Sequence, residues 1–245
     1  MFLERDRVSP ATKAAAVPKS FGRQRLHFAV GIMVFLSAVA LFIAIAINVS
    51  TEGGLEVLDL AVARSLHEFA IPSLTAFMMA VTTLNSTFAV ACYAGVIAMY
   101  QGWHRRWLRV ATLLVCVGGG LLLNDAMKHV FRRARPVLDH PLLNLETYSF
   151  PSGHAAGSTL LYGVLLVWLW RRTGQWRWRT LGAATAVSMV VLVSFSRLYL
   201  GVHFLSDVVA GVAEALAWLA LCLSTIDVLR TAPSPAVSLD KRTRQ

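Results

Sequence analysis

Three short polar clusters interrupt an otherwise apolar stretch between Lys128 and Asp207. They read KHVFRRARP from Lys128 to Pro136, PSGH from Pro151 to His154, and SRLYLGVHFLSD from Ser196 to Asp207. Charged side chains beside long hydrophobic segments are costly unless they face a cavity, a partner charge or a membrane surface. Because the charged residues of all three clusters need such surroundings, we expect the clusters to form one site.

The composition of the chain is that of a membrane protein. Its 245 residues are 56% hydrophobic and 15% charged, and the mean hydropathy is +0.60, which is outside the range of ordinary soluble domains. The formal net charge of +10 would suit a nucleic-acid partner if the basic residues formed a contiguous face. Here they lie at the ends of apolar runs, so we expect a membrane protein and no nucleic-acid partner.

Apolar runs of spanning length predict an all-α fold, a six-transmembrane helical bundle with an interfacial amphipathic helix between spans one and two. Residues 1–26 and 229–245 are polar and are predicted to be flexible cytoplasmic tails, which leaves 27–228 as the six-span domain. The first tail is followed by a retained span rather than a cleaved signal peptide. The predicted spans cover residues 27–49, 72–100, 108–127, 154–170, 180–197 and 203–226.

The segment between the first two spans has the periodicity of an amphipathic helix. Its predicted apolar face consists of Leu55, Leu58, Val62, Leu66 and Phe69. Asp59 and the other charged residues lie off this face, which predicts a helix at the bilayer surface. A connecting helix packed on the bundle is a simpler role for it than a lid.

The distribution of Lys and Arg predicts the orientation of the spans. Both tails and the loops 101–109 and 171–179 are basic and fall on one side, which the positive-inside rule makes cytoplasmic. An aromatic belt is expected on this side from Trp103, Trp107, Trp168, Trp170, Trp176 and Trp178. With six spans, all three polar clusters emerge together at the opposite face, which is predicted to be periplasmic or extracytoplasmic.

The clusters contain the residue types that bind phosphate. Lys128 supplies a point charge, and Arg135 and Arg197 supply planar guanidinium groups that match phosphate oxygens. Ser152 and Gly153 precede a predicted helix, where free backbone N–H groups attract an anion. These five residues are therefore predicted to bind phosphate.

Two histidines and a carboxylate could supply the chemistry of a phosphoryl transfer. His203 and Asp207 are four residues apart and share one face of a helix, so Asp207 can orient the ring and leave its other nitrogen as a nucleophile. His154 is then free to act as a general acid, and afterwards as a base for water. The hypothesis is a covalent phosphohistidine intermediate, with His203, His154 and Asp207 as catalytic residues.

The clusters resemble the signature of the type 2 phosphatidic acid phosphatase and vanadium haloperoxidase superfamily, which reads Lys-x6-Arg-Pro, Pro-Ser-Gly-His and Ser-Arg-x5-His-x3-Asp. Each signature residue is present in order: Lys128, Arg135 and Pro136, then Pro151 to His154, then Ser196, Arg197, His203 and Asp207. The resemblance implies the same residue roles and a metal-independent phosphatase, so no cofactor is expected.

The long spans favour the membrane lipid phosphatase branch of this superfamily over the haloperoxidases. The implied substrate is a phospholipid or a polyprenyl phosphate that carries a phosphomonoester or pyrophosphate. Undecaprenyl diphosphate, phosphatidylglycerophosphate, phosphatidic acid and lipid A phosphates are candidates of this type. The signature motifs bind the phosphate that these lipids share, so they do not distinguish between them.

Three other functions stay open at this point. A serine hydrolase could use Ser152 with His203 and Asp207, although the Gly-x-Ser-x-Gly turn is missing. His154, His203 and Asp207 resemble a two-histidine, one-carboxylate metal site, although the nearby cations would repel a divalent ion. A non-enzymatic binder or transporter of anionic lipids could use the same basic pocket.

The remaining polar residues have structural explanations. Arg132 and Arg133 are predicted to anchor the chain to acidic lipid headgroups, with contact between one of them and the substrate as the alternative. Asp125 is predicted to be a hydrogen-bond partner in helix packing or, as the alternative, a residue that supports the site from behind, and the same two roles are open for Asn124 and Glu214. His129 is predicted to be a polar cap at a helix end.

Overall fold

The computed structural model describes residues 19–51, 53–68, 70–137, 143 and 147–231. Within these ranges every regular element is a helix and no strand occurs, which confirms the predicted all-α fold. Residues 1–18 and 232–245 of the predicted tails lie outside the described residues. The first helix begins at Lys19 and the last ends at Thr231, so helical structure extends into both predicted tails.

The described residues form nine α-helices and one π-helical turn. In chain order they are α1 (Lys19–Ser50), α2 (Leu55–Glu68), α3 (Pro72–Leu84), α4 (Thr87–Trp103), α5 (Trp107–Leu113), the π-helical turn (Leu114–Gly118), α6 (Gly119–Phe131), α7 (Gly153–Arg172), α8 (Trp176–Tyr199) and α9 (Leu205–Thr231).

The helices supply the predicted number of spans. Five segments are long and apolar enough to cross a membrane: Phe28–Ser50, Trp107–Phe131, Gly153–Arg172, Trp176–Tyr199 and Leu205–Arg230. The pair α3 and α4 forms a sixth when it is taken as one bent span. The predicted bundle of six spans is therefore confirmed, with α2 as the short helix between the first two.

The second span is broken, whereas the sequence predicts one uninterrupted helix over 72–100. Helices α3 and α4 meet at a bend of 46°. The Asn85 side chain donates to the Val81 carbonyl at 3.0 Å and accepts from the Tyr162 hydroxyl at 2.9 Å. The Ser86 hydroxyl then accepts the Ala89 N–H at 3.1 Å. These side chains satisfy the backbone and side-chain groups at the break, so one helix ends and another is capped within a span.

Helices α7 and α9 form the centre of the bundle, with α1 packed along α9 and α8 packed along α7. A core cluster joins α7 and α9 to α4 and α5, and it includes Val90, Leu113, Leu160, Val164 and Leu219. Gly120 allows a close approach here, because a Cβ atom at this position would lie 2.6 Å from a methyl carbon of Leu160. Gly119 is similar, since a Cβ atom there would lie 2.8 Å from the Trp218 ring, so side chains fill the space at both glycines.

Helix α2 turns a face to the bundle that only partly matches the one predicted. Asp59 is 1% exposed and Ala63 is 3% exposed, whereas Leu58 is 49% exposed. The helix packs against α8 and α9, as a connecting helix would. The prediction is therefore wrong at Leu58 and Asp59, whereas Leu55, Val62 and Leu66 are half-buried as predicted and Phe69 lies outside the described residues. Asp59 is buried because Arg133 and the Ser206 N–H and hydroxyl groups donate to it, which offsets the cost of burying its charge.

Most of the tryptophans lie at the end of the bundle opposite the three polar clusters. Trp103, Trp107, Trp170, Trp176 and Trp178 are exposed at the end of α4, the start of α5, the end of α7 and the start of α8. Arg179 lies 5.2 Å from the Trp170 ring centroid. Exposed tryptophans beside arginines at one level of the bundle form the pattern of an interfacial belt.

Candidate active site

The three polar clusters meet at one end of the bundle, around a cavity of about 560 Å³. This volume is within the range of small-molecule sites, roughly 300–1,000 Å³. Six predicted site residues line it: Lys128, Arg135, Gly153, His154, Arg197 and His203. The structure therefore brings both histidines and all three predicted phosphate-binding cations to one cavity.

The first cluster is aimed at the cavity by the end of α6 and by the segment 147–150. Arg132 ends α6 in the left-handed conformation, with φ of 47°, and the chain turns back there. Lys128 Nζ donates to the Tyr148 carbonyl at 3.1 Å, and Arg135 Nε donates to the Thr147 carbonyl at 2.7 Å. The fully buried Phe150 anchors this segment. Carbonyl oxygens of one short segment thus fix the two cations.

The contacts of His203 determine which ring nitrogen carries the proton. The Nε2 atom lies 3.3 Å from Arg135 Nη1. A guanidinium can only donate, so Nε2 must accept with its lone pair. The proton is then on Nδ1, which donates to Asp207 Oδ2 at 3.4 Å. The lone pair of His203 is therefore on the nitrogen at the cavity, beside a cation.

His203 is also kept neutral by its surroundings. Burial is the first cause that lowers its pKa well below the usual range, and the positive charges of Arg197, Arg135 and Lys128 lower it further. A backbone hydrogen bond with Ser149 acts in the opposite direction and raises the pKa of His203. An unprotonated imidazole is the form that can act as a nucleophile.

Arg197 carries hydrogen-bond donors that no described residue satisfies. The side chain is 1% exposed, and Nη1 donates to the Thr82 hydroxyl at 2.5 Å. Its Nε and Nη2 atoms are buried and have no hydrogen-bond partner among the described residues. Because buried cationic donors are normally paired, open donors in a cavity wall indicate a place for an anion.

Helix α7 begins at this wall of the cavity, and its first residues, Gly153 and His154, are the last two of the second cluster. The Ser152 N–H donates to the Asp207 carbonyl at 2.9 Å, and a Cβ atom at Gly211 would lie 2.5 Å from the Ser152 carbonyl oxygen. The start of α7 is thus pressed against α9. Ser152 is fully buried and does not line the cavity, so its phosphate contact stays a prediction, whereas Gly153 and His154 do line it.

Arg132 and Arg133 have different surroundings, although the sequence predicts the same role for both. Arg132 is exposed and donates from Nε to the His129 carbonyl at 3.1 Å. Arg133 is only 15% exposed in its side chain and forms ion pairs with Asp207 at 2.6 Å and Asp59 at 2.9 Å. The predicted headgroup anchor is therefore wrong for Arg133, because two buried carboxylates draw its guanidinium inward.

The cavity also contains residues that the sequence did not assign to it. Thr87, Leu121, Asn124, Asp125, His129, Thr147 and Tyr148 complete its lining. The side chain of Asp125 is 71% exposed and lies 3.7 Å from His129, so the helix-packing role is wrong for Asp125, whereas its place in the cavity lining fits the alternative of a residue beside the site. Asn124 does link helices, since its amide donates to Glu214 at 2.8 Å.

No local motif marks these additional residues. Thr82 and Thr87 flank the Asn85–Ser86 break in the second span. Polar residues inside an apolar span were therefore the one feature of the sequence that could have pointed to this part of the site. Thr147 and Tyr148 act mainly through backbone carbonyl groups, which the sequence does not reveal.

Within the described ranges, no three His, Cys, Asp or Glu side chains come together as ligands for a metal ion. The sequence offers one candidate set of metal ligands, which consists of His154, His203 and Asp207. In that set Asp207 turns one carboxylate oxygen to His203 Nδ1 and the other to Arg133. Its oxygens are thus occupied by donors from the protein.

The fold and the cavity define an integral membrane protein with a cavity lined by three cationic side chains at one end of its helical bundle. The chain belongs to the PAP2 superfamily, whose sequence profile matches residues 109–230. The match covers α7, α8 and α9 and nearly all of the third span, and with them every signature residue.

Individual relatives support the same family and fold. Phosphatidylglycerophosphatase B of Bacillus subtilis is 29% identical over 154 residues, which are 62% of this chain and 75% of that protein. The undecaprenyl-diphosphatase of Sulfolobus acidocaldarius is 37% identical over 105 residues, 41% of this chain and 47% of that protein. That second match spans about half of the relative.

A solved structure extends the similarity to most of the chain. The crystal structure of a transmembrane PAP2-type phosphatidylglycerolphosphate phosphatase from Bacillus subtilis superposes with a TM-score of 0.73 at 26% identity. The superposition covers 81% of this chain and 98% of that chain. The chain is thus a member of the membrane lipid phosphatase group of the PAP2 superfamily.

Proposed function

We propose that this protein hydrolyses a phosphomonoester or pyrophosphate on a membrane lipid through a phosphohistidine intermediate. One observation carries the proposal: the unpaired donors of buried Arg197 share a cavity with the lone pair of His203. An anion bound by Arg197, Arg135 and Lys128 would lie beside this lone pair. The names of the relatives, a phosphatidylglycerophosphatase and an undecaprenyl-diphosphatase, support a phospholipid or polyprenyl phosphate substrate.

The first step transfers the phosphoryl group to the protein. The Nε2 lone pair of His203 attacks phosphorus while the bond from phosphorus to the lipid oxygen breaks. Once the bound phosphate offsets the charges of the neighbouring cations, His154 can carry a second ring proton and gives it to that oxygen, so the lipid leaves as a neutral alcohol or as a protonated phosphate. The Nδ1 proton of His203 stays hydrogen-bonded to Asp207, which stabilises the positive charge that the ring acquires.

The second step releases inorganic phosphate. Neutral His154 takes a proton from water, and the water oxygen attacks phosphorus as the bond to His203 Nε2 breaks. This returns the lone pair to His203 and the proton to His154. In both steps Lys128, Arg135 and Arg197 bind the equatorial oxygens, where negative charge is concentrated.

The same cations support a metal-independent reaction. Many phosphoryl-transfer sites neutralise the phosphate with metal ions, and here three cationic side chains around one cavity can fill that role. A divalent ion placed among them would be repelled. We therefore propose that the enzyme needs no metal cofactor.

The distribution of basic residues supports a site that faces the periplasm or another extracytoplasmic space. At the end of the bundle opposite the cavity lie Arg105, Arg106, Arg109, Arg171, Arg172, Arg177 and Arg179. The positive-inside rule assigns this end, and with it both termini, to the cytoplasm.

The alternatives fit the cavity less well. A serine hydrolase would need the Ser152 hydroxyl in the cavity, but this side chain is fully buried and is not part of the lining. A lipid binder or transporter would have no use for His203, whose Nδ1 proton is held by Asp207 and whose Nε2 lone pair faces the cavity.

A phosphate-release assay of purified protein in detergent tests the proposal. We expect phosphate release from at least one of phosphatidylglycerophosphate, undecaprenyl diphosphate, phosphatidic acid and a lipid A phosphate, with equal rates in EDTA and in Mg²⁺. Vanadate, a phosphate mimic, should inhibit competitively. Binding of these lipids without phosphate release would contradict hydrolysis, and a rate that EDTA abolishes and metal restores would contradict metal independence.

A His154→Gln variant should separate the two roles proposed for His154. For lipid substrates we expect kcat to fall roughly 10²- to 10⁴-fold, because the leaving oxygen lacks its acid. With p-nitrophenyl phosphate, whose leaving group needs no proton, the first step should survive and give a burst of p-nitrophenol. Burst amplitude and steady-state rate are measured by stopped-flow absorbance.

The matched control is His104→Gln, at the opposite end of the bundle, where the ring packs on Tyr100 at 4.6 Å. It should keep the rate of the unmodified protein. Equal losses for the lipid and for p-nitrophenyl phosphate, with no burst, would rule out the acid role of His154.

A further inference from the structure

Arg133 joins the catalytic carboxylate to helix α2, and we propose that Arg133 and Asp59 are positioning residues for the Asp207–His203 pair. They would hold the carboxylate and the first turn of α9 in the arrangement that the reaction needs. The inference rests on the function proposed above, since it assigns both residues to the phosphohistidine reaction.

The guanidinium of Arg133 bridges two carboxylates. Its Nη1 donates to Asp207 Oδ1 at 2.6 Å and to the Ser206 hydroxyl at 2.7 Å, and its Nη2 donates to Asp59 Oδ2 at 2.9 Å. The Asp59 and Asp207 side chains are 2% and 0% exposed. The Phe204 ring lies 4.3 Å from the guanidinium carbon. Ion pairs this buried leave a costly unpaired charge when one partner is removed.

The two oxygens of Asp207 have separate partners. Oδ1 accepts from Arg133, while Oδ2 accepts the Phe204 N–H at 2.9 Å and faces His203 Nδ1 at 3.4 Å. Without Arg133, the carboxylate would lose the contact that fixes its plane and the nearest compensating cation. Arg133 thus determines that an ionised oxygen meets the Nδ1 proton of His203.

Asp59 completes the arrangement from a distant part of the chain. The Ser206 N–H, in the first turn of α9, donates to Asp59 Oδ1 at 2.9 Å, and the Ser206 hydroxyl donates to Asp59 Oδ2. The first N–H groups of a helix have no partner within the helix, and a carboxylate there is also favoured by the helix dipole. Helix α2 therefore caps the turn that carries Asp207 and follows His203.

Neither positioning residue lines the cavity, whereas Lys128, Arg135 and Arg197 do. The phosphate-binding cations keep their own carbonyl and hydroxyl partners when Arg133 or Asp59 is changed. Substitutions in the network should therefore lower the rate of phosphoryl transfer and leave phosphate affinity almost unchanged.

Kinetics of Asp59→Asn, Arg133→Gln, Arg133→Lys and the double variant Asp59→Asn/Arg133→Gln test the proposal. Residues that orient the ligands of a metal ion typically change activity 10- to 100-fold when they are substituted, and we expect a similar range for residues that orient a catalytic histidine. We expect kcat to fall about 10-fold in Asp59→Asn and about 100-fold in Arg133→Gln, with KM and the vanadate inhibition constant within about threefold of the unmodified protein. Arg133→Lys, which keeps the charge, should recover part of the loss.

The double variant should resemble Arg133→Gln, because changes along one chain of contacts are not additive. Arg132→Gln is the matched control, since this exposed neighbour lies outside the network, and it should keep its kcat. Melting temperatures in detergent identify variants that fail to fold.

Unchanged kcat in both Asp59→Asn and Arg133→Gln would overturn the proposal, as would a loss of kcat with an equal rise in KM and in the vanadate constant. If Arg133→Gln does not fold, the isosteric Asp59→Asn decides alone. An unmodified protein that releases no phosphate from any lipid would refute the proposed function and this inference with it, whereas an active protein with unaffected variants would refute the network only.

Discussion

Replacing His203 with Asn should abolish phosphate release from every lipid substrate, with a loss of roughly 10⁴-fold or more, as for other enzymes that lose their nucleophile. An amide cannot supply the Nε2 lone pair that faces Arg135. The cations around the cavity remain, so vanadate should still bind to the variant. The measurement is phosphate release in detergent, with vanadate binding followed by calorimetry.

Trapping the covalent intermediate makes this expectation specific. Rapid acid-free quenching of the unmodified protein with ³²P-labelled substrate should leave a label on His203 that resists alkali and is lost in acid, as a phosphoramidate would be. His203→Asn should carry no label. His104→Asn, at the other end of the bundle, should be labelled normally. Activity in His203→Asn above a few per cent of the unmodified protein, or label on that variant, would refute the role of His203.

Replacing Arg197 with Lys should lower kcat/KM roughly 10³-fold, as for arginines that stabilise a transferring phosphoryl group. A lysine keeps the charge but loses the planar pair of donors. The Nε and Nη2 donors that await an anion would be removed, and so would the contact with Thr82. Unlike His203→Asn, this variant should also bind vanadate weakly, which a comparison of inhibition constants will reveal.

Two further variants sharpen this test. Thr82→Val removes only the hydroxyl that holds Arg197 and should lower kcat/KM about tenfold, within the usual effect of residues that orient a functional group. Arg172→Lys, an exposed position at the opposite end of the bundle, should behave like the unmodified protein. If Arg197→Lys keeps kcat/KM and vanadate affinity within threefold, the open donors of Arg197 do not bind the phosphate.

Most of the fold could be predicted from the sequence, because spanning length and hydropathy are local properties of each segment. The number of spans between the polar clusters also predicted that the clusters lie at one end of the bundle. Four of their residues line the same cavity: Lys128, His154, Arg197 and His203. The break in the second span was missed, since a single Asn–Ser pair does not change the hydropathy of the whole run.

The errors in the site concern residues whose partners are distant in the chain. Asp59 was placed off the apolar face of α2 and Arg133 at the lipid surface, yet the two meet each other and Asp207. A prediction from local periodicity places a charged residue on the solvent-facing side of a helix. It cannot include the partner of Asp59, because Arg133 is 74 residues away in the chain.

The sequence by itself determined the spans, the family and the residues with reactive or cationic side chains, because these follow from residue type and spacing. The tertiary structure alone decided which nitrogen of His203 carries the proton, which donors of Arg197 are open and how Asp207 is held. Those properties depend on contacts a few ångströms long between segments that only the packing of the helices brings together.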